Sequence, residues 1–179
     1  MTHPTIRETI ELAKSLHASQ LDKSGKPYWL HLIRVAARLR ASAPADAYHA
    51  ALLHDVLEDT QTTADDLRKM GYSERVLELV EGMTKRESGP DSYVNYIDGV
   101  IASGDQALIE IKIADTADNM SPRRMATPQL RGMRPRYENA LAMLTAAHPT
   151  HGVQLGDLPD AYYDPMTALR VASFAGGGD

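Results

Sequence analysis

Apolar residues recur at three- and four-residue spacing along nearly the whole chain, and no stretch alternates over a strand's length. That period restricts the chain to packed α-helices. Ile6, Ile10, Ala13 and His17 share one face of a helix that Thr5 and Glu8 open in a capping-box pattern. Leu32, Val35, Ala36 and Leu39 repeat over about 30–41. Further helices are expected over 45–58, 63–70 with Gly71 as its stop, 73–83, 91–103 between Asp91 and Gly104, 105–120, and 128–147, the last bent or restarted at Pro135. The composition agrees: 24 Ala and 19 Leu against 8 Ile and 8 Val favour helix, because unbranched side chains lose little rotamer freedom there. The expected architecture is all-α, a single-domain bundle of roughly eight helices over 1–148. Residues 149–179 form a Pro- and Gly-rich C-terminal extension with one short helix opened by Asp164-Pro165 and a disordered GGGD end.

Several function classes fall away. The chain lacks cysteine, so thiolate metal sites, disulfides and Cys nucleophiles are excluded, and any metal must sit on His, Asp and Glu. With 19 Lys+Arg against 24 Asp+Glu the formal charge is -5, which argues against a nucleic-acid partner. No apolar run approaches a membrane span, and MTHPTIRETIELA lacks a signal peptide's basic start and apolar centre. A cytoplasmic protein with no membrane partner is the expectation; an oligomer is left open.

The chemistry concentrates in His54-Asp55-Val56-Leu57-Glu58-Asp59, directly after the apolar AALL. On a continuous helix His54 lies above Glu58 and Asp55 above Asp59. Three carboxylates so close repel one another unless a cation or proton intervenes, and a divalent metal would also use the histidine. His31 precedes Val35 by four residues on an apolar face. Asp115 follows Ile111 by four on another, where an unpartnered carboxylate is costly. Together His31, His54, Asp55 and Asp115 supply two imidazoles and two carboxylates, a set suited to an octahedral first-row metal with two open positions. Singly, each has a plainer reading: a hydrogen-bonded core histidine, an Asp115–Lys112 pair, a solvated helix end at Glu58 and Asp59.

The stretches KSGKPYWLH (23–31), AALLHDVLEDT (50–60), GMTK (82–85) and KIADTADNM (112–120) resemble the HD superfamily of metal-dependent phosphohydrolases. The closer likeness is to the hydrolase domain of RelA/SpoT-type enzymes and the small stand-alone alarmone hydrolases. The resemblance implies an HD-type all-α fold and one divalent metal, manganese, on His31, His54, Asp55 and Asp115. It implies removal of the 3′-pyrophosphate from guanosine tetra- or pentaphosphate, a small-molecule phosphorylated nucleotide. By the same likeness Glu58 and Asp59 prepare the attacking water, Lys23 and Ser24 face the nucleotide, and Asn119 lies near ribose and phosphates. Thr84 and Lys85 lie near the substrate and Tyr137 closes the pocket. The chain departs from the family pattern at Asp22, where an Arg that helps hold guanine is usual, at Leu32 after His31, where Pro is usual, and at Asp118, where His is usual.

Between Asn119 and Glu138 stand Arg123, Arg124, Arg131, Arg134 and Arg136 with no acid among them. Arg pairs bidentately with phosphate oxygens, and Arg123 and Arg124 are the candidates nearest Asp115 in sequence. Two other readings remain: an HD phosphatase acting on a nucleoside monophosphate or NADPH, which Asp22 favours, and a catalytically weak nucleotide-sensing protein on the same scaffold.

Overall fold

The computed structural model describes residues 3–22, 24–86, 88–89, 92–125 and 128–175. They form α1 (Ile6–Leu16), α2 (Trp29–Arg38), α3 (Ala45–Leu53), α4 (Val56–Asp59), α5 (Ala64–Lys69), α6 (Glu74–Met83), α7 (Ser92–Ala102), α8 (Gln106–Asn119), α9 (Pro128–Ala147) and α10 (Pro165–Ala175), with a 3₁₀ turn at Asp160–Tyr163. Among the described residues there is no strand, only an isolated bridge between Leu21 and Pro27. The fold class is all-α, as expected.

Local signals set most boundaries. Thr5 and Glu8 make the capping box of α1, Thr63 and Asp66 that of α5, and Ser73 caps α6. Asp105 caps α8 by accepting from Ala107 N and Leu108 N. Gly71 (φ 94°) and Gly104 (φ 65°) follow the ends of α5 and α7 in the left-handed region that other side chains disfavour. Asp91 and the terminal GGGD lie outside the described residues.

Two expectations are corrected. The 45–58 helix is broken: α3 ends at Leu53, and Asp55 (φ −101°, ψ 0°) intervenes before α4. Neighbouring residues on an unbroken helix project about 100° apart. The break lets His54 and Asp55 converge instead, with His54 Nε2 3.0 Å from Asp55 Oδ2. Conversely, α9 runs through Pro135 without restarting. Pro135 is exposed, so the carbonyl it leaves without an intrahelical donor can be hydrated.

Helices α2 and α8 pack together at the centre, α2 also against α3, and α8 against α9. Every residue from Leu108 to Asp118 is buried, as is every α2 residue except Ala37. Their apolar side chains, among them Leu30, Leu32, Val35, Ile109, Ile111 and Ile113, form the core, each worth about 1.5–3 kcal/mol when fully buried. A helix buried on all sides forces its charged residues inward as well, so Glu110, Lys112, Asp115 and Asp118 must find partners within the protein. The segment after α9 folds back onto α2. Gln154 N donates to Arg38 O, Arg38 Nη1 donates to Gln154 O and Gly156 O, and α10 packs on α2.

Candidate active site

The central pair and the α3–α4 break bring together what the sequence spaces across 85 positions. His31 comes from α2, His54 and Asp55 from the break, and Asp115 from α8. One ligand-type atom each from His31, His54 and Asp115 lies within 4.8 Å of the others, and all three residues are buried. Asp115 Oδ1 is 3.3 Å from His31 Nε2 and 3.8 Å from His54 Nε2, and Asp55 Oδ2 is 3.9 Å from His31 Nε2.

The donor set fits a divalent metal. His54 Nδ1 lies 2.8 Å from Ala51 O, so it carries the proton there and turns the Nε2 lone pair inward. That Nε2 is buried and has no hydrogen-bond partner among the described residues. His31 Nδ1 is 2.8 Å from Asp118 Oδ2, the carboxylate–imidazole arrangement that orients a ligating histidine. Arg124 Nη1 is 2.6 Å from the same nitrogen. A guanidinium only donates, so the Arg124 contact requires an unprotonated Nδ1 and the Asp118 contact a protonated one; the second tautomer is the one that frees Nε2.

Neighbours hold the carboxylates. Tyr28 Oη donates to Asp55 Oδ2 at 2.7 Å, Lys112 Nζ to Asp115 Oδ2 at 2.8 Å, and Asn119 Nδ2 to Asp115 Oδ1 at 2.7 Å. Burial disfavours ionised Asp55 and Asp115, but His54 beside the first and Lys112 beside the second outweigh it, and both carboxyls stay well below the usual range. Burial likewise opposes the Lys112 charge, and Asp115 overcomes it. For His54, burial is outweighed by Asp55 and the imidazole is pushed up to about 9, so a metal taken on Nε2 would have to displace a proton there. Asp59 moves the other way: burial and the Asp55 charge raise its proton affinity.

A cavity of about 380 Å³ opens over this cluster. Glu58 and Asp59 line it from α4, Asn119 from α8 and Tyr137 from α9. Lys85, Lys112, Arg124 and Arg136 line it together with the carboxylates Asp22, Asp55, Glu58, Asp59 and Asp115. Lys85 N donates to Glu58 Oε2 at 3.2 Å. Arg136 lies over the Tyr93 ring at 3.7 Å, and Tyr137 meets Tyr93 edge-on at 6.2 Å.

Other sequence candidates lie elsewhere. Lys23 is outside the described residues. Ser24 donates through N and Oγ to Asp22 Oδ1, and Lys26 N donates to the same oxygen. Asp22 thus stands in the Arg position as the organiser of its own loop, 6% exposed. Burial opposes its charge, and these hydrogen bonds still hold its carboxyl below the usual range. Thr84 Oγ1 donates to Val80 O and lines a separate cavity with Lys85. Arg123 pairs with Asp160 and faces a cavity beside the first. Sequence reasoning missed Tyr28, Tyr93 and Arg136 and treated Asp118 only as a departure. Arg136 sat within the basic run but was passed over for arginines nearer in sequence. Tyr28, inside the KSGKPYWLH stretch, was the other legible signal.

Residues 9–97 match the family model for the HD domain. The chain is 37% identical over 120 residues to a guanosine-3′,5′-bis(diphosphate) 3′-pyrophosphohydrolase of Aquifex aeolicus, covering 64% of this chain and 17% of that protein. It is 33% identical over 125 residues to the bifunctional (p)ppGpp synthase/hydrolase SpoT of Escherichia coli, with the same coverage. It therefore spans about a sixth of the length of these relatives. A solved structure described as a metazoan orthologue of SpoT that hydrolyses ppGpp superposes with a TM-score of 0.68 at 24% identity, over 87% of this chain and 92% of the other. No described helix is long and apolar enough to cross a membrane.

Proposed function

We propose that this chain, whose residues 9–97 match the HD domain and which is similar to guanosine-3′,5′-bis(diphosphate) 3′-pyrophosphohydrolases, is a manganese-dependent hydrolase acting on guanosine tetra- and pentaphosphate. It would release pyrophosphate from the 3′ position and leave GDP or GTP. The observation that carries this reading is the convergence of His31, His54, Asp55 and Asp115 beneath a cavity that Glu58, Asp59, Lys85 and Arg136 also line.

His31 Nε2, His54 Nε2, Asp55 and Asp115 would hold the metal. Bound there, a divalent ion supplies a water of lowered pKa and polarises a phosphoryl oxygen. Asp118 and the Ala51 carbonyl fix the two imidazoles, while Tyr28 and Lys112 fix the two carboxylates, so the donor atoms are oriented before substrate arrives. Glu58 and Asp59, just beyond the ligand pair, take the proton of the attacking water. The raised proton affinity of Asp59 suits it to that step. Lys85 and Arg136 offset the phosphate charge, most strongly in the transition state. Water adds to the 3′-linked phosphorus, the phosphorus–O3′ bond breaks, and the ribose oxygen leaves with a proton. Asn119 sits beside Asp115 where it can touch the ribose or its phosphate.

A second reading keeps the metal site and changes the substrate to NADPH or a nucleoside monophosphate. Asp22 favours it, because its carboxylate is engaged by its own loop where the family's Arg would hold guanine. The test is product analysis with added Mn²⁺ on guanosine 3′,5′-bis(diphosphate), NADPH and nucleoside monophosphates. GDP plus pyrophosphate from the first supports the proposal, and single phosphate from the others supports the second reading. No turnover of any of them sinks both in favour of a nucleotide sensor.

A further inference from the structure

Beside the catalytic cavity, sharing Asp22 and Arg124 with it, lies a second cavity of about 390 Å³. Its remaining walls come from three places: the loop before α2 (Ser24, Lys26), α2 itself (Arg34), and the pair Arg123 and Tyr163. The catalytic mechanism uses none of these last five residues.

Cations crowd this end of α2. Asp118 has no solvent exposure and is approached by three buried guanidinium groups, Arg34 Nε at 3.0 Å, Arg38 Nη2 at 3.3 Å and Arg124 Nη1 at 3.4 Å. Asp22 and Asp115 also act on Arg124, and Asp22 Oδ1 already accepts from Ser24 and Lys26. The cavity itself is lined by four cations, Arg34, Arg123, Arg124 and, at the rim, Lys26, against one carboxylate, Asp22. Arg123, also at the rim, is paired with Asp160. An anion entering that space would meet an excess of positive charge.

Two unpartnered groups belong to residues that border the same space. Arg34 Nη2 and Tyr163 Oη are buried and have no partner among the described residues, and both residues line this cavity. The Arg34 side chain is 2% exposed. Its guanidinium and that of Arg123 lie 4.8 and 4.4 Å from the centre of the Tyr163 ring, which fixes the tyrosine among the cations. Buried donors without acceptors are rare in folded proteins and mark places where a ligand or ion belongs. Guanidinium forks with a phenol and an ammonium suit phosphoryl oxygens, and the space exceeds what one phosphate fills.

We infer that this cavity is an anion site separate from the metal cluster, taking a diphosphate group on Arg34 Nη2, Tyr163 Oη, Arg124 and Lys26. The C-terminal segment then has a definite task, since it delivers Tyr163 to the site. The diphosphate could be the far end of the nucleotide held in the catalytic cavity, reached across Arg124, or belong to a separate small molecule. The first source rests on the function proposed above; the site itself does not.

The test is calorimetric titration of inorganic pyrophosphate into the full chain stripped of metal with chelator, so that neither turnover nor metal contributes. Wild type should bind. Tyr163→Phe, which removes one hydroxyl, should weaken binding several-fold, and Arg34→Lys about tenfold or more. Because Arg34→Lys also touches Asp118 and could disturb the fold, Arg123→Gln at the rim serves as a third variant, expected to weaken binding about twofold to fivefold. Absence of binding, or binding that Tyr163→Phe and Arg123→Gln both leave unchanged, overturns the site. Kinetics then separate the sources. If Tyr163→Phe raises KM for guanosine 3′,5′-bis(diphosphate) but not for guanosine 3′-diphosphate, the site holds the substrate's 5′ end. If pyrophosphate instead changes the wild-type rate without competing with substrate, the site serves a separate ligand. Should no nucleotide be hydrolysed at all, the titration still decides the site.

Discussion

Replacing Asp118 tests how the centre is held together. Its carboxylate lies 2.8 Å from His31 Nδ1 and 3.0–3.4 Å from Arg34, Arg38 and Arg124, with no exposed surface. Burial opposes its charge, but His31 and Arg34 prevail and hold the carboxyl far below the usual range. Asp118→Asn keeps the shape and removes the charge that three buried guanidiniums share. Breaking one partner of a buried ion pair costs about 3–5 kcal/mol, against a total stability of about 5–15 kcal/mol for a typical domain. At about 2–4 °C per kcal/mol for a chain of this size, Tm should fall by about 6–20 °C. The Asn carbonyl can still accept from His31 Nδ1, so metal affinity should fall little. Asp118→Ala removes that acceptor too and should weaken metal binding by about 10–100-fold. Thermal denaturation followed by circular dichroism, with metal titration on the same preparations, measures both. A Tm within about 2 °C of wild type for Asp118→Asn, together with unchanged metal affinity for Asp118→Ala, would refute the reasoning.

Other expectations follow from the same geometry. Glu58→Gln and Asp59→Asn should keep fold and metal while turnover falls about 10²–10⁴-fold; near-wild-type rates in both would return them to solvated helix-end charges, and metal loss in either would make that residue a ligand. Asp115→Ala should lose most bound metal, read by elemental analysis of the purified protein, and His31→Ala should do the same; unchanged occupancy removes the residue from the centre. Asp105→Ala should destabilise by about 1–2 kcal/mol, because Asp105 caps α8 and pairs bidentately with Arg75 at 2.7 Å through both oxygens. The Arg75 hydrogen bonds hold the Asp105 carboxyl below its ordinary value against burial. Its contribution is therefore present above the unfolded pKa of about 3.9 and lost as pH falls through the folded one. Denaturation midpoints of wild type and variant should converge in acid, and a difference that persists there would show that the charge is not the cause.

The helices were legible because each carries its own start, stop and apolar stripe: Thr5 with Glu8, Ser73, Asp105, and Gly71 and Gly104 are local signals needing no distant partner. The four metal-site candidates were legible for a related reason, since acids and histidines on apolar stripes cannot remain unpartnered. What depended on long-range packing was not. A helix period continues through His54 and Asp55, and only the need to aim two adjacent side chains at one centre with His31 breaks it. Nothing in the linear chain marks Arg34 and Arg38 until the C-terminal segment and α8 close over them. Asp118 read as a departure in a motif, and the structure makes it the carboxylate that three arginines and His31 share. Tyr163, 48 positions beyond Asp115, meets Arg34 because the chain after α9 doubles back onto α2. Period and capping are written in neighbouring residues and survive in the linear chain. Charge balance in a buried centre is a property of groups far apart in sequence, and it exists only once the fold has removed the water between them.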